Sequence, residues 1–207
     1  MRYSIFLIVS SLSLLVTPCS LAAGENEAAI APSIGLQSTT THINWYDIPP
    51  NIRKYLILMT AVSMELNAEL PDGGINPTPE QQFDMMQKII ERTPIDFLTG
   101  EAGAYIAEAN ELNLAIVEAL RRESPKDRAG IMAVRERFSS QIDALNAKYP
   151  AVGRYFTPQA QMSISMMIAR ETDLQRVMIQ AAMAGKTQKE AMRTAVEHLR
   201  YEAEQQF

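Results

Sequence analysis

Residues that could carry acid-base or metal chemistry are scarce in this chain. It has two histidines, His42 and His198, and neither follows a carboxylate at the Glu-x-x-His spacing of di-iron helical bundles. Its single cysteine is Cys19, and the sequence contains no Asp-rich loop, no Gly-x-Ser-x-Gly motif and no phosphate-binding glycine loop. These residue types point away from zinc, calcium and nucleotide chemistry, and we expect no cofactor and no metal site.

Carboxylates are the remaining route to catalysis, because two of them facing one cleft can hydrolyse a glycan. The candidates are Glu65, Glu69, Asp96, Glu101, Glu171 and Asp173. Asp96 and Glu101 also fit the first turns of helices, where the helix dipole favours an acidic side chain. We therefore favour a non-catalytic protein, with an enzyme that acts on cell-wall glycan as the alternative.

Methionine is unusually frequent, with twelve in the chain and eleven beyond Met1. The spacing of Met162, Met166 and Met167 places them on one side of a helix. Thioethers bind Cu(I), fill irregular cores and line adaptable surfaces that accept apolar partners. Core packing is the first interpretation, and a Met-lined binding surface or a carrier of Cu(I) or an apolar ligand remains open.

Aromatic residues cluster in two places that could contact a partner. The first is the stretch KYPAVGRYFTP, where aromatic side chains surround a proline and a glycine, and the second is the pair before the first helix. Aromatic side chains at the end of a bundle either close the core or anchor a partner. With the methionines, the candidate partner-binding residues are Trp45, Tyr46, Tyr149, Tyr155, Phe156, Met162 and Met166.

The N-terminal residues have the layout of a secretory signal peptide. Arg2 precedes an apolar run from Ile5 to Val16, and Ser-Leu-Ala ending at Ala22 has the small-x-small form of a cleavage site. The run is shorter than the roughly 20 residues that span a bilayer. Pro18 directly before Cys19 argues against lipidation. We predict cleavage after Ala22 and a periplasmic or secreted protein with no membrane span.

Removal of residues 1–22 would leave an acidic chain without cysteine. The remaining sequence has 18 basic and 24 acidic residues, a net charge of −6. This charge and the absence of a basic face argue against nucleic-acid binding. A chain of this size can bury enough surface to fold as one domain without disulfides. The predicted organisation is a signal peptide at 1–22, a flexible leader at 23–46 and one helical domain at 47–207.

Hydroxyl residues followed by proline or by a capping box indicate where helices begin. The five positions are Thr78, Thr93, Ser124, Thr157 and Thr187. A Ser or Thr side chain accepts a hydrogen bond from an unpaired N–H of the first turn, and proline fits the next position. Apolar residues at helical spacing follow the cap residues. The pattern predicts helix starts rather than phosphorylation sites.

These signals predict an all-α protein, a single-domain bundle of about five to six amphipathic helices. The predicted helices cover 48–70, 79–92, 101–122, 125–148, 158–184 and 188–205, with a short turn at 94–98. Gly185 is the expected C-terminal stop of the fifth helix. No segment has the strict alternation of a half-buried strand.

A short stretch at the second helix resembles a family signature. PTPEQQ is similar to the Leu-Thr-x-x-Gln motif of Spy-type periplasmic chaperones at Thr78 and Gln81, and it has Pro77 in place of the leucine. The resemblance implies a secreted, helical protein without cysteine, and a capping box accounts for the same residues. Our expectation is a periplasmic or secreted helical protein that binds another protein, in a toxin-neutralising, envelope or chaperone-like role.

Overall fold

The computed structural model describes residues 43–70 and 77–206. Within these ranges every regular element is a helix, which confirms the all-α fold. The predicted signal peptide and residues 23–42 of the predicted leader lie outside the described residues. A 3-10 helix, Trp45–Asp47, comes first. The α-helices that follow are α1 (Pro50–Glu69), α2 (Pro79–Arg92), α3 (Gly100–Glu123), α4 (Arg128–Glu136), α5 (Ser139–Lys148), α6 (Pro150–Gly153), α7 (Pro158–Glu171), α8 (Leu174–Met183) and α9 (Gln188–Glu204).

The most buried helix is α1. Thirteen of its 20 residues are buried, so apolar side chains such as Ile52, Leu56 and Ile57 are enclosed on several sides. A helix that is apolar around most of its circumference is stable only when other helices surround it. The last helix, α9, packs along α1, and its Leu199 and Ala203 join the same core cluster. The C-terminal helix is therefore a wall of the main core.

Two smaller clusters extend the core toward α2 and α5. Phe83 and Leu120 pack with Val134 and Ile142, which joins α2, α3, α4 and α5. A third cluster joins α1 to α2 through four buried residues, Val62, Leu66, Met85 and Ile89. These two clusters contain no residue of α7, α8 or α9, whose clustered side chains belong to the main core.

Three of the predicted caps begin helices as expected. The Thr78 side chain accepts from Gln81 N–H, and the Gln81 side chain accepts from Thr78 N–H at 2.8 Å, which is a complete capping box. Thr187 begins α9 with the same arrangement, and Thr157 caps α7 without the reciprocal bond. The Thr78 box satisfies the N–H groups that the end of a helix leaves unpaired.

The other two predicted caps are wrong, because each residue ends a helix instead. Thr93 follows the last turn of α2, where its hydroxyl donates to the Ile89 carbonyl at 2.6 Å. Ser124 ends α3 in the left-handed region, at φ +45°. The cap of α4 is Asp127, which accepts from Gly130 N–H at 2.7 Å. A hydroxyl bonds a carbonyl one turn back as readily as it caps a helix.

Nine α-helices occur in the described ranges, compared with six predicted, because two predicted helices are divided and the short helix α6 was not predicted. The 125–148 segment breaks before Phe138, whose N–H bonds to the carbonyl three residues back. The 158–184 segment breaks at Asp173, which has φ +53°. Gly185, at φ +75°, ends α8 as predicted, and Lys186 N–H bonds to the Ala181 carbonyl. That bond and the left-handed glycine form a Schellman motif.

Candidate partner-binding surface

The seven predicted partner-binding residues divide between the core and the surface. Trp45, Tyr155 and Phe156 are buried, and Tyr149 is half-buried against the main core. The structure places the other three, Tyr46, Met162 and Met166, in solvent. The seven residues therefore do not form one surface, and the accessible candidates are one tyrosine and two methionines.

The buried aromatic residues close the end of the core near α6. The Phe156 ring lies 5.0 Å from that of Tyr105 and 6.3 Å from that of Tyr55, measured between centroids. Tyr149 meets Tyr105 edge-on at 6.1 Å, a favourable arrangement for two aromatic rings. Burial raises the pKa of Tyr55 and Tyr105 well above the usual tyrosine value. The loop is therefore packed into the protein, which leaves its aromatic rings little area for a partner.

Polar bonds around this cluster fix the loop to its neighbours. The Tyr149 hydroxyl donates to Glu108 at 2.6 Å, and Lys148 donates to the same carboxylate. These bonds, that of Lys148 first, hold the pKa of Glu108 below its usual value. The buried Gln161 side chain donates to the Tyr155 carbonyl at 2.7 Å. The first two contacts join the end of α5 and Tyr149 to α3, and the third joins α7 to the turn before it.

The segment before α1 is attached to the bundle at two points. The Tyr155 hydroxyl donates to the Asp47 carbonyl at 3.0 Å, and the Arg53 guanidinium lies over the Trp45 ring at 5.9 Å. The Asn44 side chain accepts from Tyr46 N–H and caps the 3-10 helix. Residues 44–46, which the sequence assigned to the leader, thus pack with Asp47 against the helical bundle.

Tyr46 reaches the C-terminal end of α7. Its side chain is 72% exposed, and its hydroxyl donates to Glu171 at 3.0 Å. The hydrogen bond to the Glu171 carboxylate raises the pKa of Tyr46, because ionisation of the tyrosine would lose this bond and place two negative charges together. The pKa of Glu171 is lowered, first by a hydrogen bond from Arg170 and also by that of Tyr46. Tyr46, Arg170 and Glu171 form one surface network.

Two methionines form an exposed apolar face on α7. Met162 is 54% exposed and Met166 is 60% exposed, one turn apart on the same side of the helix. The inward side of α7 carries Ile164 and Ile168, which are buried in the main core. The sequence placed Met162, Met166 and Met167 on one side of the helix and favoured core packing for them. Met167 does pack against the core, whereas core packing is wrong for Met162 and Met166, which are exposed. We call Met162 and Met166 the methionine face.

A second exposed apolar pair lies on α8. Ile179 is 59% exposed and Met183 is 83% exposed, again one turn apart. The sequence did not single out this pair, because residues 158–184 were interpreted as one helix with a single inward side. The signal that could have found it is the phase of Leu174 and Ala181, the buried residues of α8. Methionine side chains at such positions adapt to varied partners.

Four of the six candidate catalytic carboxylates form ion pairs with arginine. Glu65 and Glu69 each bond an arginine of another helix, and Glu171 and Asp173 each pair with a nearby arginine of their own segment. The remaining two candidates, Asp96 and Glu101, are exposed. A glycosidase acid needs a raised pKa, whereas that of Glu171 is lowered. This arrangement gives catalysis no support.

The described part of the chain contains neither a cluster of metal-ligating side chains nor a helix that could span a membrane. Across residues 43–70 and 77–206, no three or more His, Cys, Asp or Glu side chains are grouped to hold a metal ion. The His198 Nε2 atom contacts the Thr172 carbonyl, so this ring meets the end of α7. None of the helices within those two ranges has the length and apolar character needed to cross a membrane.

Comparisons with known proteins give no relative from which a function could be carried over. No family model, no curated protein and no solved structure matches the chain.

Proposed function

We propose that this chain is an exported, non-catalytic binding protein that uses its methionine face to hold an apolar segment of another protein. The single observation that carries the proposal is the exposure of Met162 and Met166 on a helix whose opposite side is buried. Unbranched thioether side chains repack at little cost, so they suit partners with apolar residues in different positions. The envelope, toxin-neutralising and chaperone-like roles share this mode of contact.

The surroundings of the methionine face support a protein partner over a metal. Gln159 and Ser163 lie beside Met162, and Arg170 lies one turn beyond Met166. Both methionine side chains are more than half in solvent, which favours a surface contact over an enclosed Cu(I) site. Polar residues around an apolar centre are the usual layout of a protein interface.

Export is part of the proposal and rests on the N-terminal sequence. Mass spectrometry of the natural protein should find an N-terminus near Ala23, and an intact Met1 would contradict export. The binding role has a separate test and does not depend on this result.

The experiment for the binding role is a pull-down from the protein's own envelope fraction, with the contact site of any captured partner mapped by chemical cross-linking that does not use methionine. Met162→Gln with Met166→Gln should reduce capture of any specific partner by at least about tenfold, because buried apolar area drives such contacts. Ile179→Gln with Met183→Gln removes an equal number of exposed apolar side chains on α8 and is the matched control. Equal capture by both double variants would contradict the proposal, and so would a partner cross-linked elsewhere.

A further inference from the structure

The tip formed by the end of α8 and the start of α9 is the most exposed continuous stretch of the described chain. All nine residues from 182 to 190 are exposed, and Ile179 and Met183 extend this surface along α8. We call residues 179–190 the α8–α9 tip. Its parts are adjacent because a two-residue Gly-Lys turn after Ala184, ending at the Thr187 cap, joins them. The tip is therefore one continuous exposed surface rather than two separate patches.

The tip carries a positive charge in an acidic protein. Between residues 173 and 193 there are four basic side chains, Arg176, Lys186, Lys189 and Arg193, and two acidic side chains, Asp173 and Glu190. Asp173 pairs with Arg176 at 2.8 Å, at the far end of α8 from the tip. The whole chain has a net charge of −5, so the remainder is strongly negative. A charge asymmetry of this kind orients a protein toward an anionic surface with its positive end first.

The one acidic side chain at the tip is already used by the helix start. The Glu190 carboxylate accepts from Thr187 N–H and from the Thr187 hydroxyl, each at 2.8 Å. The bond from the Thr187 backbone is the main reason that the pKa of Glu190 is lowered. The Glu190 carboxylate is therefore bonded within the capping box, and Lys186 and Lys189 determine the charge that the tip exposes to solvent.

Arg176, Ile179 and Met183 occupy one side of α8. At 100° per residue these three positions lie within about 60° of one another. Leu174 and Ala181 are buried, so the opposite side of the helix packs against the bundle. The exposed side thus combines two apolar side chains with a basic one.

We propose that the α8–α9 tip binds an anionic lipid surface, with Ile179 and Met183 entering the interface and Lys186 and Lys189 contacting headgroups. Apolar side chains next to lysine and arginine are the composition that binds at membrane interfaces. Each basic residue near an anionic leaflet contributes attraction that salt screens within a Debye length. A turn whose residues are all exposed suits contact with a flat lipid surface better than capture of an extended peptide, which needs a groove. This inference is independent of the methionine face.

The test is flotation of the processed protein with vesicles of phosphatidylcholine, with and without about a third of phosphatidylglycerol. We expect binding to the anionic vesicles only, and we expect it to be lost at high salt. Lys186→Glu with Lys189→Glu should lower the bound fraction at least about tenfold, because two attractive charges become repulsive. An acidic residue in the first turn of α9 is favoured by the helix dipole, so the variant is expected to fold.

Matched controls separate the tip from the rest of the surface. Lys88→Glu with Lys126→Glu changes the net charge equally at exposed positions on other elements, and it should change binding by less than about twofold. Ile179→Gln with Met183→Gln should weaken binding about fivefold, whereas Met162→Gln with Met166→Gln should not weaken it. All variants keep the same N-terminus, so any contribution from residues before Ile43 is constant.

Three outcomes would overturn the inference. One is equal binding to neutral and anionic vesicles, and another is equal loss in the tip and control charge variants. The third is tight binding of an acidic amphipathic peptide to the tip without binding to vesicles, which would assign the tip to a protein partner.

Discussion

The helices α1 and α8 differ in how deeply they bury their apolar side chains. In α1, aliphatic residues such as Leu56 and Ile57 are enclosed by the surrounding helices, and the helix is buried over most of its length. In α8, Ile179 and Met183 are exposed, although the buried Ala181 lies two positions from each of them. Burial of each apolar side chain contributes roughly 1.5–3 kcal/mol to folding, so the apolar side chains of α1 stabilise the protein, whereas Ile179 and Met183 of α8 contribute little.

The comparison separates residues that hold the fold from residues available to something else. An exposed methionine gains little stability for its own chain, and single exposed apolar residues are common. Pairs one turn apart on successive helices, Met162 with Met166 and Ile179 with Met183, are the feature that our proposals use. The predictions below test whether the two classes of residue behave differently.

The largest expected loss of stability comes from a substitution in α9, where it packs against the main core. Leu199→Ala should lower the free energy of unfolding by about 3 kcal/mol, because Leu199 is fully buried against α1 and its loss leaves a cavity. Met183→Ala should change it by less than about 0.5 kcal/mol. Urea denaturation of both variants measures the difference. Similar losses would mean that α8 is covered by part of the chain or by a second copy.

Removal of two tyrosine hydroxyls, one buried and one exposed, should give a smaller difference in the free energy of unfolding. Tyr155→Phe should cost about 1 kcal/mol or slightly more, because the buried hydroxyl donates to the Asp47 carbonyl and attaches the 3-10 helix. Tyr46→Phe removes an exposed bond to Glu171 and should cost less than about 0.5 kcal/mol. Denaturant titration of both variants measures the two costs, and a larger cost at Tyr46 would contradict the exposed position of its bond to Glu171.

Helix capping gives the next smaller effect. Thr187→Ala should cost about 1 kcal/mol, since α9 loses its capping box and covers α1 less firmly. Ser124→Ala should cost less than about 0.5 kcal/mol, because Ser124 ends α3 and caps no helix start. Thermal or denaturant unfolding of both variants checks this, and equal costs would restore Ser124 as a cap.

The smallest effect is a dependence on acid pH. The pKa of Glu190 is lowered in the folded state, so its contribution to stability is complete above the unfolded value, near 4.5, and is lost as the pH falls through the folded value. Glu190→Gln should therefore flatten the stability curve slightly below about pH 4.5 and leave its shape above that pH unchanged. Urea titrations at several pH values measure this, and an unchanged acid limb would contradict the reciprocal cap.

Local signals in the sequence predicted much of the fold, because capping depends on neighbouring residues. Thr78, Thr157 and Thr187 begin helices as predicted, and Gly185 ends one. The break at Asp173 could not be predicted, since the segment has neither proline nor glycine. Asp tolerates the left-handed region, and whether it adopts that region depends on tertiary packing.

The division of the candidate residues between core and surface was only partly predictable. Met162 lies two residues, or about 200°, from Ile164, so its exposure follows from the phase of the buried isoleucines. For Tyr155 and Phe156 no comparable phase exists, because the stretch after α6 is a turn. An aromatic side chain there can face the core or the solvent, and packing against Tyr55 and Tyr105 decides it.

Oxidation of the folded protein by dilute hydrogen peroxide, followed residue by residue with mass spectrometry, tests the central contrast most directly. Exposed thioethers oxidise readily, whereas buried thioethers oxidise only when local or global unfolding exposes them. We predict that Met162, Met166 and Met183 become sulfoxides at least about tenfold faster than the buried Met64 and Met192. Protection of Met162 and Met166 to the level of Met64 would show that this face is already covered, which would contradict its role as a free binding surface.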